Sequence, residues 1–389
     1  MRTFRFDEPG FEAAFAAFLN EDRGQPADVD AAVAAIIEGV RTGGLAAVLD
    51  YARRFDRVEL TEATIRVTAE EIEAGVELGW RWGPLEAVGV YVPGGRAAYP
   101  STVLMNCVPA RVAGVSRIAM VTPPGRLEPA VLAAAKVAGV TEIWRIGGAH
   151  AAAALAFGAG PIRPVDKIVG PGNAFVTAAK RRLYGIVGID ALAGPSEIVV
   201  VADADNDAEW IAADLLSQAE HDPDAQSILI TDNQAFADKV VEAINGQLDK
   251  LSTAETARAS IATHGAIIIA PMSQSPGLVD RIAPEHVEFA VADPDQLADQ
   301  VRHAGAIFLG RYTPESIGDY VAGSNHVLPT SRAARFSSGL SLYDFLKRTS
   351  IVRCDPASFA ILGPHTAALA EAEGLPAHQR AATIRLSQT

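Results

Sequence analysis

From residue 88 onward, short apolar runs alternate with alanine-rich stretches in which apolar residues recur every three or four positions. The first pattern is typical of buried β-strands, and the second is typical of helices that pack against a sheet. The pattern predicts strands at residues 88–92, 117–122, 142–146, 167–169, 198–202, 227–231, 266–270, 287–290 and 306–309. Helical segments separate most of them, so we expect an α/β fold with parallel sheets covered on both faces.

The two ends of the chain lack this alternation and are predicted to be mainly helical. Near the N-terminus, Asp28 can cap an amphipathic helix that Gly43 and Gly44 interrupt, and a second helix follows. A short extended piece at residues 65–68 leads into an acidic helix from about residue 69. Residues 357–373 and 376–386 form two further predicted helices. Such a tail packs either on its own chain or on a neighbouring subunit.

These patterns divide the chain into four predicted segments. Residues 1–87 form an N-terminal helical segment, residues 88–222 a first α/β domain, and residues 223–330 a second α/β domain. Residues 331–389 form a return segment and a helical tail.

Composition narrows the class of protein. The chain has 389 residues, 49% of them hydrophobic, which is enough for a large buried core. Its net charge of -14 argues against nucleic acid as a partner, because an acidic surface repels phosphate backbones. No apolar stretch is long enough to span a bilayer, and the N-terminus lacks the apolar region of a signal peptide. We expect a cytoplasmic protein without membrane contacts.

Three glycine-rich turns are candidates for phosphate binding, although no Gly-x-Gly-x-x-Gly motif follows a predicted strand. Residues 91–95 and 170–173 each join a strand to a helix, and residues 194–197 precede a strand. Free backbone N–H groups at such turns can hold a pyrophosphate, but most glycine–proline turns are only turns.

Several histidines lie close in sequence to acidic or amide residues, as expected of a polar site. These are His221 with Gln218, His286 with Glu285, His326 with Asp319, and His378 with Glu373. Gln218 and His221 are three residues apart on a helix, so both side chains can point from one face. Nitrogen and oxygen donors of this kind suit a divalent cation. The two cysteines, Cys107 and Cys354, exclude a zinc site built of cysteines alone.

Several ordered motifs resemble the histidinol dehydrogenase family. The motifs are residues 89–95, 99–106, 170–174, 193–197, 218–221, 284–286 and 323–329, and the likeness extends from about residue 28 to the C-terminus. The resemblance implies two parallel-sheet domains of incomplete Rossmann type with helical N-terminal and C-terminal appendages. It also implies a homodimer with shared active sites, in which the C-terminal tail extends to the partner subunit.

The resemblance further implies the roles of individual residues. The zinc ligands would be Gln218, His221, Asp319 and, in the second chain, His378 of the partner subunit, and these four would also contact the substrate. The acid–base pair would be Glu285 and His286. Further substrate contacts would come from Ser196, His326 and Glu373, the last again from the partner, and NAD contacts from Tyr91 and Asn173.

The implied reaction is the oxidation of L-histidinol to L-histidine through a bound aldehyde, with two molecules of NAD. Zinc would orient the substrate through its nitrogens. His286 would take the hydroxyl proton, and Glu285 would activate water in the second half. A closed site would keep the reactive aldehyde from side reactions.

The chain departs from the family pattern in two places. His150 stands where the family has glutamine in a turn that faces the cofactor, and we assign His150 as a cofactor contact because imidazole also forms hydrogen bonds. The chain is also a few dozen residues shorter than the family between Glu73 and Leu78, where relatives carry further helical sequence.

Two alternatives stay open at this point. The first is a related zinc- and NAD-dependent dehydrogenase for another polyol, such as a sulfonated propanediol. Glu373 and His378 argue against it, because an anionic sulfonate would prefer a cationic pocket. The second is a zinc-binding homologue without catalysis, which the short segment and His150 motivate.

Overall fold

The computed structural model describes residues 2–19, 31–56, 77–94 and 99–386. Within them the strands are β1 (Arg2–Arg5), β2 (Glu77–Pro84), β3 (Ala87–Tyr91), β4 (Arg117–Val121), β5 (Glu142–Trp144), β6 (Lys167–Val169), β7 (Gly188–Ile189), β8 (Glu197–Ala202), β9 (Gln226–Thr231), β10 (Ala266–Ile269), β11 (His286–Ala290), β12 (Ala306–Leu309) and β13 (Leu346–Arg353). The helices are α1 (Phe11–Leu19), α2 (Ala31–Tyr51), α3 (Pro100–Ala113), α4 (Pro129–Ala138), α5 (Gly148–Phe157), α6 (Ala174–Leu183), α7 (Ala208–Ala219), α8 (Gln234–Leu248), α9 (Ala254–His264), α10 (Ser275–Ile282), α11 (Pro294–Ala298), α12 (Glu315–Tyr320), α13 (Pro356–Ala372) and α14 (Pro376–Leu386). The expected α/β fold is confirmed.

Two parallel sheets form the body of the fold. The five-stranded sheet has the order β5-β4-β3-β6-β7, and the six-stranded sheet has the order β1-β10-β9-β8-β11-β12. Every residue of β8 and β9 is buried, because helices cover both faces of a parallel sheet. This burial explains why the strands read as continuous apolar runs in the sequence.

Each sheet contains one point where the strand order reverses. In the five-stranded sheet the chain passes from β3 outward through β4 to β5, and then returns to place β6 on the other side of β3. In the six-stranded sheet it passes from β8 through β9 to β10, and then returns to place β11 beside β8. Ligands of open α/β sheets bind at such reversals, at the carboxyl ends of the strands.

The N-terminal segment was predicted to be helical, but its first residues form a strand. Strand β1 pairs in parallel with β10, with Phe4 opposite Ile268, and α1 then packs Phe11, Phe15 and Phe18 against the same sheet. A four-residue edge strand carries too few alternating residues to be recognised from its pattern alone.

The sheets also bear on the predicted domain bounds. The change from one sheet to the other occurs between β7 and β8, whereas the predicted boundary at residue 222 lies between α7 and β9, inside the six-stranded sheet. Strand β8 belongs with the later strands because it is the central strand on which β9 and β11 assemble. The domain bounds stay a prediction.

Contacts between residues divide the chain into two compact units. One contains residues 1–25 and 84–347, with both parallel sheets, and the other contains residues 26–83 and 348–389. In the second unit α2 is interrupted at Gly44, which has a positive φ of 55°, as the paired glycines predicted. Strands β2 and β13 form a two-stranded sheet, and α13 and α14 confirm the predicted helical tail.

Three expectations for the N-terminal part lie outside the described residues: the Asp28 cap, the extended piece at residues 65–68 and the acidic helix after it. Among the described residues, no helix is both long and apolar enough to cross a membrane.

Candidate active site

Acidic residues and one histidine meet at the amino ends of two neighbouring strands. Glu197 is the first residue of β8 and His286 the first of β11, and the register places His286 opposite Ile198. Glu285 immediately precedes His286. Because the strands are parallel and adjacent, their first residues share one edge of the sheet, and all three residues are buried.

The imidazole of His286 has two different sides. Its Nδ1 lies 3.0 Å from the carbonyl oxygen of Glu197, and since a carbonyl only accepts, Nδ1 carries the proton. Its Nε2 is buried and lacks a hydrogen-bond partner among the described residues. It lies 3.8 Å from Glu315 Oε1 and 3.7 Å from Asp319 Oδ1. Nε2 therefore faces two carboxylates.

Glu285 is held on the Nδ1 side of the ring. Its Oε2 accepts a hydrogen bond of 3.0 Å from the backbone N–H of Glu197 and lies 3.7 Å from His286 Nδ1. The Glu197 carboxylate in turn accepts the N–H of Ser331 at 3.0 Å. Glu197 thus orients both Glu285 and His286 through its backbone.

Glu315 and Asp319 are four residues apart on α12 and so face the same side. The backbone N–H of Glu315 donates to Glu288 Oε1 at 2.5 Å, which ties the start of α12 to β11. Glu288 shares a side-chain hydrogen bond with Asp214 of α7. Burial raises the pKa of Asp214 to about 6 and also raises the pKa of Glu288.

Gln218 is completely buried at the end of α7. Oriented by its hydrogen bonds, its amide nitrogen donates to both carboxylate oxygens of Glu315 at 2.6 Å, and its oxygen accepts the N–H of Glu197 at 3.2 Å. Gln218 therefore links α12 to the strand edge that carries Glu285 and His286.

Burial and like charge change the proton affinity of this cluster. Burial raises the pKa of Glu285 to about 8 and that of Glu315 to about 7, although the His286 charge opposes both shifts. For His286, burial lowers the pKa, but Glu315, Glu285 and Asp319 outweigh it and raise the pKa to about 10. The cluster therefore retains protons at neutral pH that the same groups would lose in water.

Two more histidines lie within electrostatic range of Asp319. Desolvation lowers the pKa of His221 and of His326, while the charge of Asp319 opposes the shift in both. The Nε2 atom of His326 is buried without a hydrogen-bond partner among the described residues. Lowered pKa values favour neutral imidazole rings, the form that binds a metal ion.

The donor set fits a divalent cation. His286 Nε2 and one oxygen each of Glu315 and Asp319 lie within 4.8 Å of one another, and imidazole nitrogens with carboxylate oxygens are ligands that Zn²⁺ accepts. Asp319 belongs both to this group and to the predicted ligand set. Glu315 was not predicted, and His286 was predicted as a base rather than a ligand.

Strained backbone flanks the cluster. Ala283, two residues before Glu285, has φ 51° and ψ 59°, and Ser331, which donates its N–H to Glu197, has φ 55°. Residues other than glycine rarely adopt this left-handed conformation, and it is concentrated at functional sites.

The predicted cofactor residues lie at the carboxyl end of the other sheet. Tyr91 ends β3 and is buried, and its hydroxyl accepts the N–H of Gly148 at 2.8 Å, at the first turn of α5. Asn173 is exposed and caps α6 through its side chain, which accepts the N–H of Val176 at 3.2 Å. His150 is exposed on α5. Tyr91 and Asn173 thus flank the reversal between β3 and β6.

The remaining predicted residues have different positions. Ser196 directly precedes β8 and is half-buried beside Glu197. Glu373 and His378 are exposed in the helical tail, which belongs to the second compact unit. Their contribution to the site stays a prediction.

Sequence reasoning missed Glu197, Glu315 and Glu288. The four-residue spacing of Glu315 and Asp319 was a usable signal, because it places two carboxylates on one helical face. Glu197 and Glu288 gave no such signal, since their roles depend on which strands become neighbours.

Comparisons with a family model, with relatives and with solved structures all point to the same family. A family model described as histidinol dehydrogenase matches residues 19–78 and 66–386. The histidinol dehydrogenase of Caulobacter vibrioides is 70% identical, with 99% of each chain covered, and that of Mesorhizobium japonicum is 54% identical at the same coverage. The crystal structure of histidinol dehydrogenase from Elizabethkingia anophelis matches with a TM-score of 0.84 and 32% identity, covering 100% of this chain and 98% of that one.

The same comparisons locate the shorter segment. The alignment with the Caulobacter protein extends over 424 residues, whereas this chain has 389, so the relative contains residues that this chain lacks. The two matches to the family model overlap at residues 66–78. This is the region where the sequence predicted the gap.

Proposed function

Because this chain belongs to the histidinol dehydrogenase family and is an oxidoreductase of histidine biosynthesis, we propose that it oxidises L-histidinol to L-histidine in two NAD-linked steps with a zinc ion in its site. The observation that supports this proposal most strongly is the buried His286. Its Nδ1 is held by a backbone carbonyl, and its free Nε2 faces Glu315 and Asp319. A base in one tautomer, with its lone pair aimed into a polar site, suits proton removal from an alcohol.

His286 accepts the hydroxyl proton of histidinol at Nε2. Its carbonyl partner prevents the ring from turning, so the lone pair stays directed toward the substrate position. With its pKa raised to about 10 by the surrounding carboxylates, the ring binds that proton firmly. A cation beside Asp319 would oppose this shift and bring the ring back toward its neutral, basic form.

Glu285 serves the second half of the reaction, in which water adds to the bound aldehyde. Its pKa, raised by burial to about 8, lies close to neutral pH, where one group can both take and return a proton. Its oxygen is fixed by the Glu197 N–H, so the carboxyl group does not need to reorganise during the reaction.

Zinc, when bound, supplies a positive charge that orients the nitrogen atoms of the substrate, and NAD supplies the electron acceptor. We propose that Gln218, His221, Asp319 and His378 of the partner subunit hold the zinc ion, as the resemblance implies. Gln218 would turn its amide oxygen from the Glu197 N–H to the ion. Tyr91, His150 and Asn173 would contact NAD, and Ser196, His326 and the partner subunit's Glu373 would contact the substrate.

The decisive experiment follows NADH formation from L-histidinol and NAD by absorbance, before and after treatment with a chelator. We expect two NADH per histidinol, loss of activity with the chelator, and recovery on addition of zinc. A parallel reaction with a sulfonated propanediol tests the competing substrate. Stoichiometric zinc without NADH from either alcohol would instead indicate a zinc-binding homologue without catalysis.

The shared site is tested by mixing two inactive variants. In a mixed dimer of His286→Asn and His378→Ala chains, one site receives both defects and the other receives neither. If His378 acts across the interface, subunit exchange should restore about a quarter of wild-type activity by random pairing. If each chain uses its own His378, no activity returns.

A further inference from the structure

A buried ion pair lies at the point where the five-stranded sheet reverses its strand order. Lys180 of α6 and Asp190, the residue after β7, have side chains only 3% and 4% exposed, and their charged groups are in direct contact. Burying two charges is costly unless the remaining hydrogen-bonding capacity is also used. The other hydrogen bonds of Lys180 and Asp190 therefore indicate what the pair does in the fold.

Both members of the pair bind the same residue, Gly170. Lys180 Nζ donates to the carbonyl oxygen of Gly170 at 3.0 Å, and Asp190 Oδ2 accepts the N–H of Gly170 at 2.7 Å. The ion pair and Gly170 thus form a closed ring that holds both backbone groups of one residue.

Gly170 needs such support because its conformation is special. Its φ is 102°, and a Cβ atom there would collide with the carbonyl oxygen of Tyr91. Gly170 also directly follows β6 and starts the turn that leads to Asn173 and α6. Any movement of Gly170 would therefore displace both sides of the crevice between β3 and β6.

We infer that Lys180 and Asp190 are positioning residues that hold the residue 170–173 turn in the form that binds the dinucleotide. This inference rests on the proposed function, because it assumes that NAD lies against Tyr91 and Asn173. The paired charges cancel each other, so they contribute geometry rather than attraction for the phosphates. Their loss should weaken NAD binding and leave the zinc and histidinol sites unchanged.

A second lysine–aspartate pair in the same sheet serves as the control. Lys167 at the amino end of β6 pairs with Asp344 at 3.1 Å and also donates to its carbonyl oxygen. That pair lies at the opposite end of β6 from Gly170. Lys167→Met and Lys180→Met therefore both remove a lysine from an ion pair, but only the second affects the cofactor turn.

The test measures the dissociation constant of NAD and the KM values for NAD and histidinol in zinc-loaded enzyme, together with zinc content and Tm. For Lys180→Met we expect NAD binding weaker by about 10- to 100-fold, since small displacements in a binding site have effects of this size. The KM for histidinol and the zinc content should stay unchanged. Lys167→Met should lower Tm without changing NAD binding.

A neutral double variant tests whether the hydrogen bonds or the charges matter. Lys180→Gln with Asp190→Asn keeps a donor for the Gly170 carbonyl and an acceptor for its N–H, so NAD binding should recover to within about 3-fold of wild type. The double variant also serves if Lys180→Met does not fold. In that case Asp190→Asn alone, which leaves the lysine uncompensated, should bind NAD more weakly than the double variant.

The two proposals fail in different ways. If the wild-type enzyme oxidises histidinol but Lys180→Met and Lys167→Met bind NAD equally well, the positioning role is wrong and the proposed function stands. If the wild-type enzyme binds no NAD, both are wrong.

Discussion

Apart from the edge strand β1, the two parallel sheets have the same strand order, but their candidate site residues lie at opposite ends of the strands. In the five-stranded sheet, the predicted cofactor residues Tyr91 and Asn173 flank the carboxyl ends of β3 and β6. In the six-stranded sheet, Glu285, His286 and Glu197 lie at the amino ends of β8 and β11. The same strand-order reversal therefore does not by itself decide where a site forms.

The two sheets differ in which side chains lie between the strands at the point where the strand order reverses. At the carboxyl ends of β8 and β11, Asp203 accepts two contacts of 2.6 and 2.7 Å from Arg311 and a hydrogen bond from the N–H of Ala292. Asn206 adds a bond of 2.6 Å to the carbonyl oxygen of Ala290. Charged side chains thus occupy the place where a ligand would bind. Among the residues that the structure describes, no such network covers the outer side of the turn after β6, where Asn173 is exposed.

The largest expected effect concerns the amino-end site. His286→Asn keeps an N–H for the Glu197 carbonyl but removes the basic Nε2, so kcat should fall by about 10²- to 10⁴-fold with little change in Tm. Steady-state NADH formation measures this effect. His264→Asn, in a histidine assigned no catalytic role, is the control, and equal activity of the two variants would rule out His286 as the base.

The second prediction concerns the carboxyl-end turn of the five-stranded sheet. Gly170→Ala should destabilise the protein by about 2–4 kcal/mol, because it combines a positive φ with a collision against Tyr91. Gly185 has a similar φ of 100° but open space around it, so Gly185→Ala should cost only about 1–2 kcal/mol. Denaturant unfolding gives both values. Equal losses would show that the close approach to Tyr91 is unimportant.

The third prediction tests the filled crevice. Asp203→Ala should lower the free energy of unfolding by about 2–3 kcal/mol, because it leaves Arg311 and the Ala292 N–H without their partner. The KM for NAD should not change. Asp249→Ala removes an exposed partner of Arg258 and should cost under about 1 kcal/mol. If Asp203→Ala raised the KM for NAD, the cofactor would bind at the six-stranded sheet, and our assignment of NAD to the five-stranded sheet would be wrong.

The smallest effect is a pH dependence behind the amino-end site. Burial raises the pKa of Asp214 to about 6 from 3.8, so its protonated form favours the folded state. Wild-type stability should therefore fall relative to Asp214→Asn as pH rises from about 4 to 6, by about 1–2 kcal/mol, and the difference should be constant above that range.

Chelator-treated protein is used for this comparison, with unfolding measured at each pH. Glu242→Gln, at an exposed carboxyl group on α8, is the control for the loss of a negative charge. If the wild type instead lost stability relative to Asp214→Asn as the pH falls, the effect would have the opposite sign, and burial could not be its cause.

Much of the fold was predictable because it depends on local patterns. The strand predicted at residues 167–169 agrees with β6 residue for residue, since short apolar runs between helical stretches are typical of buried strands. Strand β1 was missed because it is short and stabilised by β10, which lies more than 250 residues later.

The site was predictable only in part. Glu285 and His286 were identified because they are adjacent in a motif, and Asp319 because the motifs resemble those of a family. Glu315 and Glu197 were missed because each acts through distant residues: Glu315 through Gln218, and Glu197 through Glu285 and His286. A single sequence carries no direct information on such contacts.

The α/β class, the positions of most strands and the family could be inferred from the amino-acid sequence, because burial and turn formation follow from the residue types in short segments. The tertiary structure decided which strand ends meet, and therefore which carboxyl groups surround His286 and which residues hold Gly170. These arrangements depend on contacts between residues far apart in the chain, and packing of the whole sheet selects them.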